Sequence, residues 1–149
     1  MNPTNKLSQA EAERLLDMLK YTLSKSINFP EKGKSNEFEI KGDSMRDLFV
    51  VKIYRGSVNR TKYNLGARIK KNGILLLELH INPGNVHENP DGVKITESHW
   101  HIYTEEHGRR MAYPAEDINS AEFVSNTLLF LKKFNVVEVP VVNAQLEIV

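Results

Sequence analysis

The chain of 149 residues contains no cysteine. Disulfides, thiolate metal sites and a cysteine nucleophile are therefore excluded. No apolar run approaches the roughly 20 residues that a membrane-spanning helix needs. The opening MNPTNKLSQAEAER lacks the basic-then-apolar order of a secretory leader. These absences predict a cytoplasmic protein with no membrane partner. Internal repeats and low-complexity segments are also missing.

What is present fits one domain over residues 1–149, because a chain that is 40% hydrophobic at this length can bury a sizeable core. The net charge of +1 hides an asymmetry. From Leu48 to Leu77 the basic residues are Lys52, Arg55, Arg60, Lys62, Arg68, Lys70 and Lys71, and no acid interrupts them. Such a bias suggests a polyanionic partner, although a solvated sheet surface accounts for it equally well.

Local patterns predict two helices and a sheet. Ser8 and Glu11 form an S-x-x-E capping pair, and Ala12, Leu15, Leu16, Leu19 and Leu23 recur at helical spacing, so a first helix is expected over about 8–25. The stretches EFEIKG, DLFVVKIYRG, TKYNLGARI, ILLLELHI, SHWHIYTE and RRMAY read as strands, placing the sheet over about 36–113. Asn119 and Glu122 suggest a second cap, and Phe123, Val124, Thr127, Leu128, Leu131 and Phe134 a buried stripe, for a helix over about 119–134. Residues 136–149 carry Pro140 and read as an extended tail or edge strand. The expected class is α+β: an antiparallel sheet of about five or six strands with both helices packed on one face.

Side chains alternate across a strand, so residues two apart share a face. Trp100 and Ile102, Val51 and Ile53, and Leu75, Leu77, Leu79 and Ile81 fit the core. The opposite, open face then collects His99, His101 and Tyr103 from one strand and Lys62, Asn64, Arg68 and Lys70 from another. Glu78 and His80, and Lys52 and Tyr54, join them from two more. A register slip of one residue would move a whole set to the other face.

That face admits three readings. The first is single-stranded RNA binding through Lys52, Tyr54, Arg55, Arg60, Lys62, Lys70 and Tyr103, basic groups taking phosphates and aromatics taking bases. It extends to metal-independent, cofactor-free RNA cleavage, which needs a base, an acid and a cation. His99 and His101, or one of them with His87 or His80, would supply the proton transfers, and Arg68 or Lys62 the cation. The second reading is a metal site of His99, His101 and Glu105. Their H-x-H-x-x-x-E spacing resembles the first half of a cupin motif, but the glycines that motif expects are Val93 and Ala112 here. The third has no chemistry: a protein partner, or a second copy pairing with the apolar tail from Val136. In the loop HENPDG, Asn89-Pro90 and Asp91-Gly92 are ordinary turn formers, and His107 falls in a turn.

The stretch from His87 to Pro114, HENPDGVKITESHWHIYTEEHGRRMAYP, resembles a family of small uncharacterised bacterial proteins of prophages and mobile elements. Its members pair an H-x-N-P-D-G loop with an H-x-H-I-Y strand, and LSQAEAERLL and RGSVNRTKYNLGAR extend the likeness over most of the chain. The resemblance implies a stand-alone domain in a bacterial or phage setting, where RNases and accessory proteins are both at home. It implies no particular catalytic residue.

Overall fold

A computed structural model describes residues 6–59, 61–116 and 118–144. The elements run α1 (Gln9–Asp17), β1 (Lys20–Thr22), β2 (Ser26–Asn28), β3 (Ser35–Lys41), β4 (Leu48–Arg55), β5 (Tyr63–Ile69), β6 (Leu75–Ile81) and β7 (His87–Glu88). They continue with β8 (Lys94–Ile95), β9 (His99–Ile102), β10 (Ala112–Pro114), α2 (Phe123–Lys133), β11 (Val136–Glu138) and β12 (Val141–Asn143). The class is α+β. One eight-stranded sheet has the order β10-β9-β6-β5-β4-β3-β1-β11, antiparallel except for the parallel β1–β11 pair. Two small pairs, β12–β2 and β7–β8, lie outside it. Among the described residues no helix is long and apolar enough to cross a membrane.

Six of the eight strands are the expected ones. Of the other two, β1 comes from a segment expected to be helix, and β11 from the segment expected to be an extended tail or edge strand, where it does take the edge. The Ser8 hydroxyl does cap α1, accepting from the Glu11 amide at 3.1 Å. The helix stops at Asp17 rather than near residue 25, because Met18 turns extended and the chain enters β1. Leu19 and Leu23, expected on the buried stripe, are consequently 54% and 51% exposed. The apolar tail is tied down within its own chain, β11 beside β1 and β12 beside β2. Helix α2 starts at Phe123, since Asn119 caps a preceding turn through the Ala121 amide instead. Residues 145–149 of the tail lie outside the described residues.

One buried cluster joins Ala12 and Leu15 of α1, Phe130 and Leu131 of α2, and a single face of the sheet: Phe38 and Ile40, Phe49, Val51 and Ile53, Leu65 and Ala67, Leu77 and Leu79, and Trp100. The alternation breaks in β6. Between Ala67 and Arg68 the β5–β6 register shifts, and Leu76 is the extra residue. Leu76 enters the core, while Leu75 turns to the open face opposite Arg68. Tyr103 lies just past β9, its amide bonded to the Leu76 carbonyl at the bulge. Its ring is buried in the core rather than on the open face, and its hydroxyl accepts from the Leu7 amide at 2.9 Å.

Lys20 joins the helices to the sheet. Its side chain is fully buried, and its ammonium donates to the Leu16 and Met18 carbonyls at the end of α1 and to the Phe134 carbonyl at the end of α2. These distances are 2.9, 3.0 and 2.9 Å, and the nitrogen sits 4.0 Å from the centre of the Phe134 ring. Helix C-termini leave carbonyls without partners and carry partial negative charge, so one cation serves both. Beside it Asn135, in the left-handed region at φ 62°, donates its side-chain amide to the Asp17 carbonyl at 3.1 Å.

Burial pulls the Lys20 ammonium down to about 7 from its ordinary 10.5, against the opposing charges of Asp17 and Asp43. The unfolded chain keeps that proton up to its ordinary value, so between about 7 and 10.5 the unfolded state binds more protons and stability from this group rises with pH. Lys20→Met strips three carbonyls of their donor and is expected to cost about 3 kcal/mol. The deficit should widen from pH 7 to pH 10. Urea unfolding midpoints of both proteins across that range check this, and a variant as stable as wild type would refute it.

Candidate functional site

The registers build the site. On the open face, Ser35, Tyr54, Asn64, His80, His99 and Pro114 form one row across six strands. Glu37, Lys52, Gly66, Glu78, His101 and Ala112 form the next. His80 on β6 therefore faces His99 on β9, and Glu78 faces His101. The β7–β8 hairpin brings a fourth imidazole: the His87 ring lies 5.5 Å from that of His99 and 4.7 Å from that of His101. His80 lies 5.1 and 4.7 Å from the same two rings. His107 stays in its turn, away from the four, its ring beside the Glu106 carboxylate.

Each imidazole is oriented by a bond from one ring nitrogen. His99 Nδ1 donates to the Glu97 carbonyl at 2.9 Å, and His101 Nδ1 to the Arg109 carbonyl at 2.8 Å. His80 Nε2 meets the Glu78 carboxylate at 3.1 Å, and His87 Nε2 meets both the Asn89 side-chain oxygen and the Arg110 carbonyl at 3.0 Å. A neutral ring held through Nδ1, as in His99 and His101, keeps its lone pair on Nε2. In His101 that atom, Nε2, is buried and without a hydrogen-bond partner. Burial, reinforced by the His80 charge, pushes His101 down to about 4, and burial lowers His99 in the same direction. Both rings are therefore neutral at pH 7.

Glu78 is the buried anion beneath the cluster. Burial raises its carboxyl, but hydrogen bonds from His80 and Arg109 outweigh that and leave it below the ordinary value. The Arg109 guanidinium clamps it, with Nε donating to Oε2 at 2.7 Å. Asn89 fixes the hairpin: its buried side chain accepts from the Ala112 amide at 2.8 Å and donates to the Ala112 carbonyl at 2.9 Å, as a neighbouring strand would. The turn former of the HENPDG loop thus docks His87 onto β10. A cavity of about 530 Å³ opens over the four histidines, with Lys62, Asn64, Arg109 and Arg110 also on its wall.

Of the residues expected to act together, His80, His87, His99, His101 and Lys62 meet in this cavity. Arg68 does not line it, because it bonds Glu37 at 2.9 Å across β4. Lys70 likewise holds Glu39 at 2.8 Å. Arg55 is buried among Phe29 and Phe123 and bonds the Pro30 carbonyl, so it belongs to the core face. Tyr103 is buried as described, while Lys52 and Tyr54 stand exposed on the open face. Arg60 lies outside the described residues. Glu105 is occupied elsewhere, its carboxylate taking the Gln9 amide at 2.8 Å at the start of α1. The third imidazole that gathers with His99 and His101 is His80: one ring nitrogen from each lies within 4.8 Å of the others. Arg109 escaped the sequence reading, although the turn at EEHG and strand at RRMAY already fold it back beside His101.

The chain matches the model of a family of unknown function, DUF6978, over residues 7–136, and belongs to that family. No curated protein and no solved structure matches it.

Asn89→Ala orphans the Ala112 amide and carbonyl together, and is expected to cost roughly 2–4 kcal/mol. Hydrogen exchange at the Ala112 amide should accelerate with the fall in urea midpoint. Unchanged exchange there would show that the hairpin is held by something else.

Proposed function

We propose that this protein binds a divalent transition metal of the zinc class in the histidine cavity, with His80, His99 and His101 as its protein ligands. The observation that carries the reading is the set of three imidazoles with ring nitrogens within 4.8 Å of one another, two of them pinned through Nδ1 to backbone carbonyls. Metal-binding histidines almost always donate their other N–H to such an acceptor, which sets the tautomer and aims the lone pair. The buried, unpartnered His101 Nε2 is otherwise a cost to the fold. Three histidines and an open fourth position are the donor set of catalytic zinc sites. Tetrahedral bonds of 2.0–2.1 Å bring ligand nitrogens to roughly 3.4 Å, so binding draws the rings together slightly. Metal-free RNA cleavage needs a protonated acid, a role that burial disfavours at His99 and His101.

Protein stripped with chelator, reloaded with zinc and desalted should retain about one ion per chain by elemental analysis. Cobalt in its place should give the visible absorption of a four-coordinate site. His99→Ala/His101→Ala should retain almost none. Wild type that keeps no zinc or cobalt removes the reading.

Single-stranded RNA on the open face is the second reading. It is favoured by exposed Lys52 and Tyr54 beside the row that leads through Asn64 to the histidines. Since Arg68 and Lys70 are already paired with Glu37 and Glu39, few phosphates would be neutralised. A shallow fall of log affinity with log salt is expected, with a slope of magnitude about 1–3. No binding of an oligonucleotide at low salt would sink it.

A further inference from the structure

We propose that the cavity takes a phosphoryl oxyanion, one oxygen meeting the metal and the others meeting Lys62 and Arg110. This inference rests on the metal reading above and names the ligand class of the same site.

The charge on the cavity wall carries it. Among the described residues, the titratable side chains that line the cavity are the four histidines, Lys62, Arg109 and Arg110, with no carboxylate. Glu78 lies beneath the rings, and Arg109 and His80 already hold both its oxygens. Its charge is cancelled by Arg109, so Lys62 and Arg110 remain as cations on the wall, and no ion pair joins either to an acid among the described residues. A divalent ion would add two further positive charges to a space that offers no counter-charge of its own. An anion is what completes such a site electrostatically.

Its class follows from the number and spread of donors. Lys62 precedes β5 and Arg110 precedes β10, so the cations approach from two sides of the histidines. A metal and two separated cations match a group with three peripheral oxygens better than a carboxylate with two. A volume of about 530 Å³ exceeds what a bare phosphate fills and lies in the range of small-molecule sites. From His80 the same cross-strand row runs through Asn64 to Tyr54, a ring 45% exposed. Two strand spacings of about 4.8 Å separate His80 from Tyr54. That places an amide and an aromatic face alongside the phosphate position, where the base of a nucleotide would stack.

The test is calorimetric titration of the zinc-loaded full chain with inorganic phosphate, a 5′-mononucleotide and a short single-stranded RNA, metal content being measured on each sample. Phosphate should bind, and Lys62→Ala/Arg110→Ala should weaken it about tenfold or more while metal content holds at the wild-type level. Tighter binding of the mononucleotide than of phosphate, lost in Tyr54→Ala, identifies the source as a free nucleotide. Tighter binding of RNA than of either identifies a strand. Metal uptake with no phosphate binding, or phosphate binding unaltered in the double variant, overturns the anion site and leaves the metal centre standing. Absence of metal uptake overturns both.

Discussion

A single buried ammonium holds the layers of this protein in place. Lys20 takes carbonyls from the ends of both helices and lies against Phe134 and Phe49. Removing such a charge from water is unfavourable, and it is tolerated where several acceptors converge on it. Here those acceptors are groups that helix termini would otherwise leave unmatched. The consequence reaches the opposite side of the molecule. With α1 and α2 fixed on one face, the strand registers are fixed, and register alone decides that His80, His99 and His101 share the other face.

The polar site depends on the same economy of backbone partners. His99 and His101 are turned by carbonyls of Glu97 and Arg109, and His87 by the carbonyl of Arg110. Asn89 substitutes for a strand against Ala112. His80 is held instead by the Glu78 carboxylate, which Arg109 steadies in turn. Such a site is preorganised: its rings need little rearrangement to meet a ligand.

Much of this was legible in the sequence. Alternation and β-branched composition marked six of the eight strands of the sheet and put Trp100 inward with His99 and His101 outward. What misled was sequence-local reasoning about charge and periodicity. The acid-free stretch from Leu48 to Leu77 reads as a basic surface, yet β3 lies beside it and sets Glu37 and Glu39 against Arg68 and Lys70. Alternation also fails where a bulge inserts a residue, which is why Leu75 and Tyr103 lie opposite to expectation. Helical spacing carried α1 too far because Leu19 and Leu23 fit an apolar stripe, whereas burying Lys20 decides the path. Alternation already placed His80 on the open face with His99 and His101, whereas Arg109 was missed, because only the fold-back of the turn after β9 brings it against Glu78.

The parallel pairs β1–β11 and β12–β2 join segments more than a hundred residues apart. On a ribosome, residues 20–28 have no strand partner on that side until residues 136–143 have emerged. Lys20 likewise waits for the Phe134 carbonyl. The N-terminal layer thus matures last although it is made first. High contact order of this kind slows folding and leaves apolar edges open meanwhile. Leu19, Leu23, Val137 and Val139 border that late seam and stay about half exposed even once it has closed.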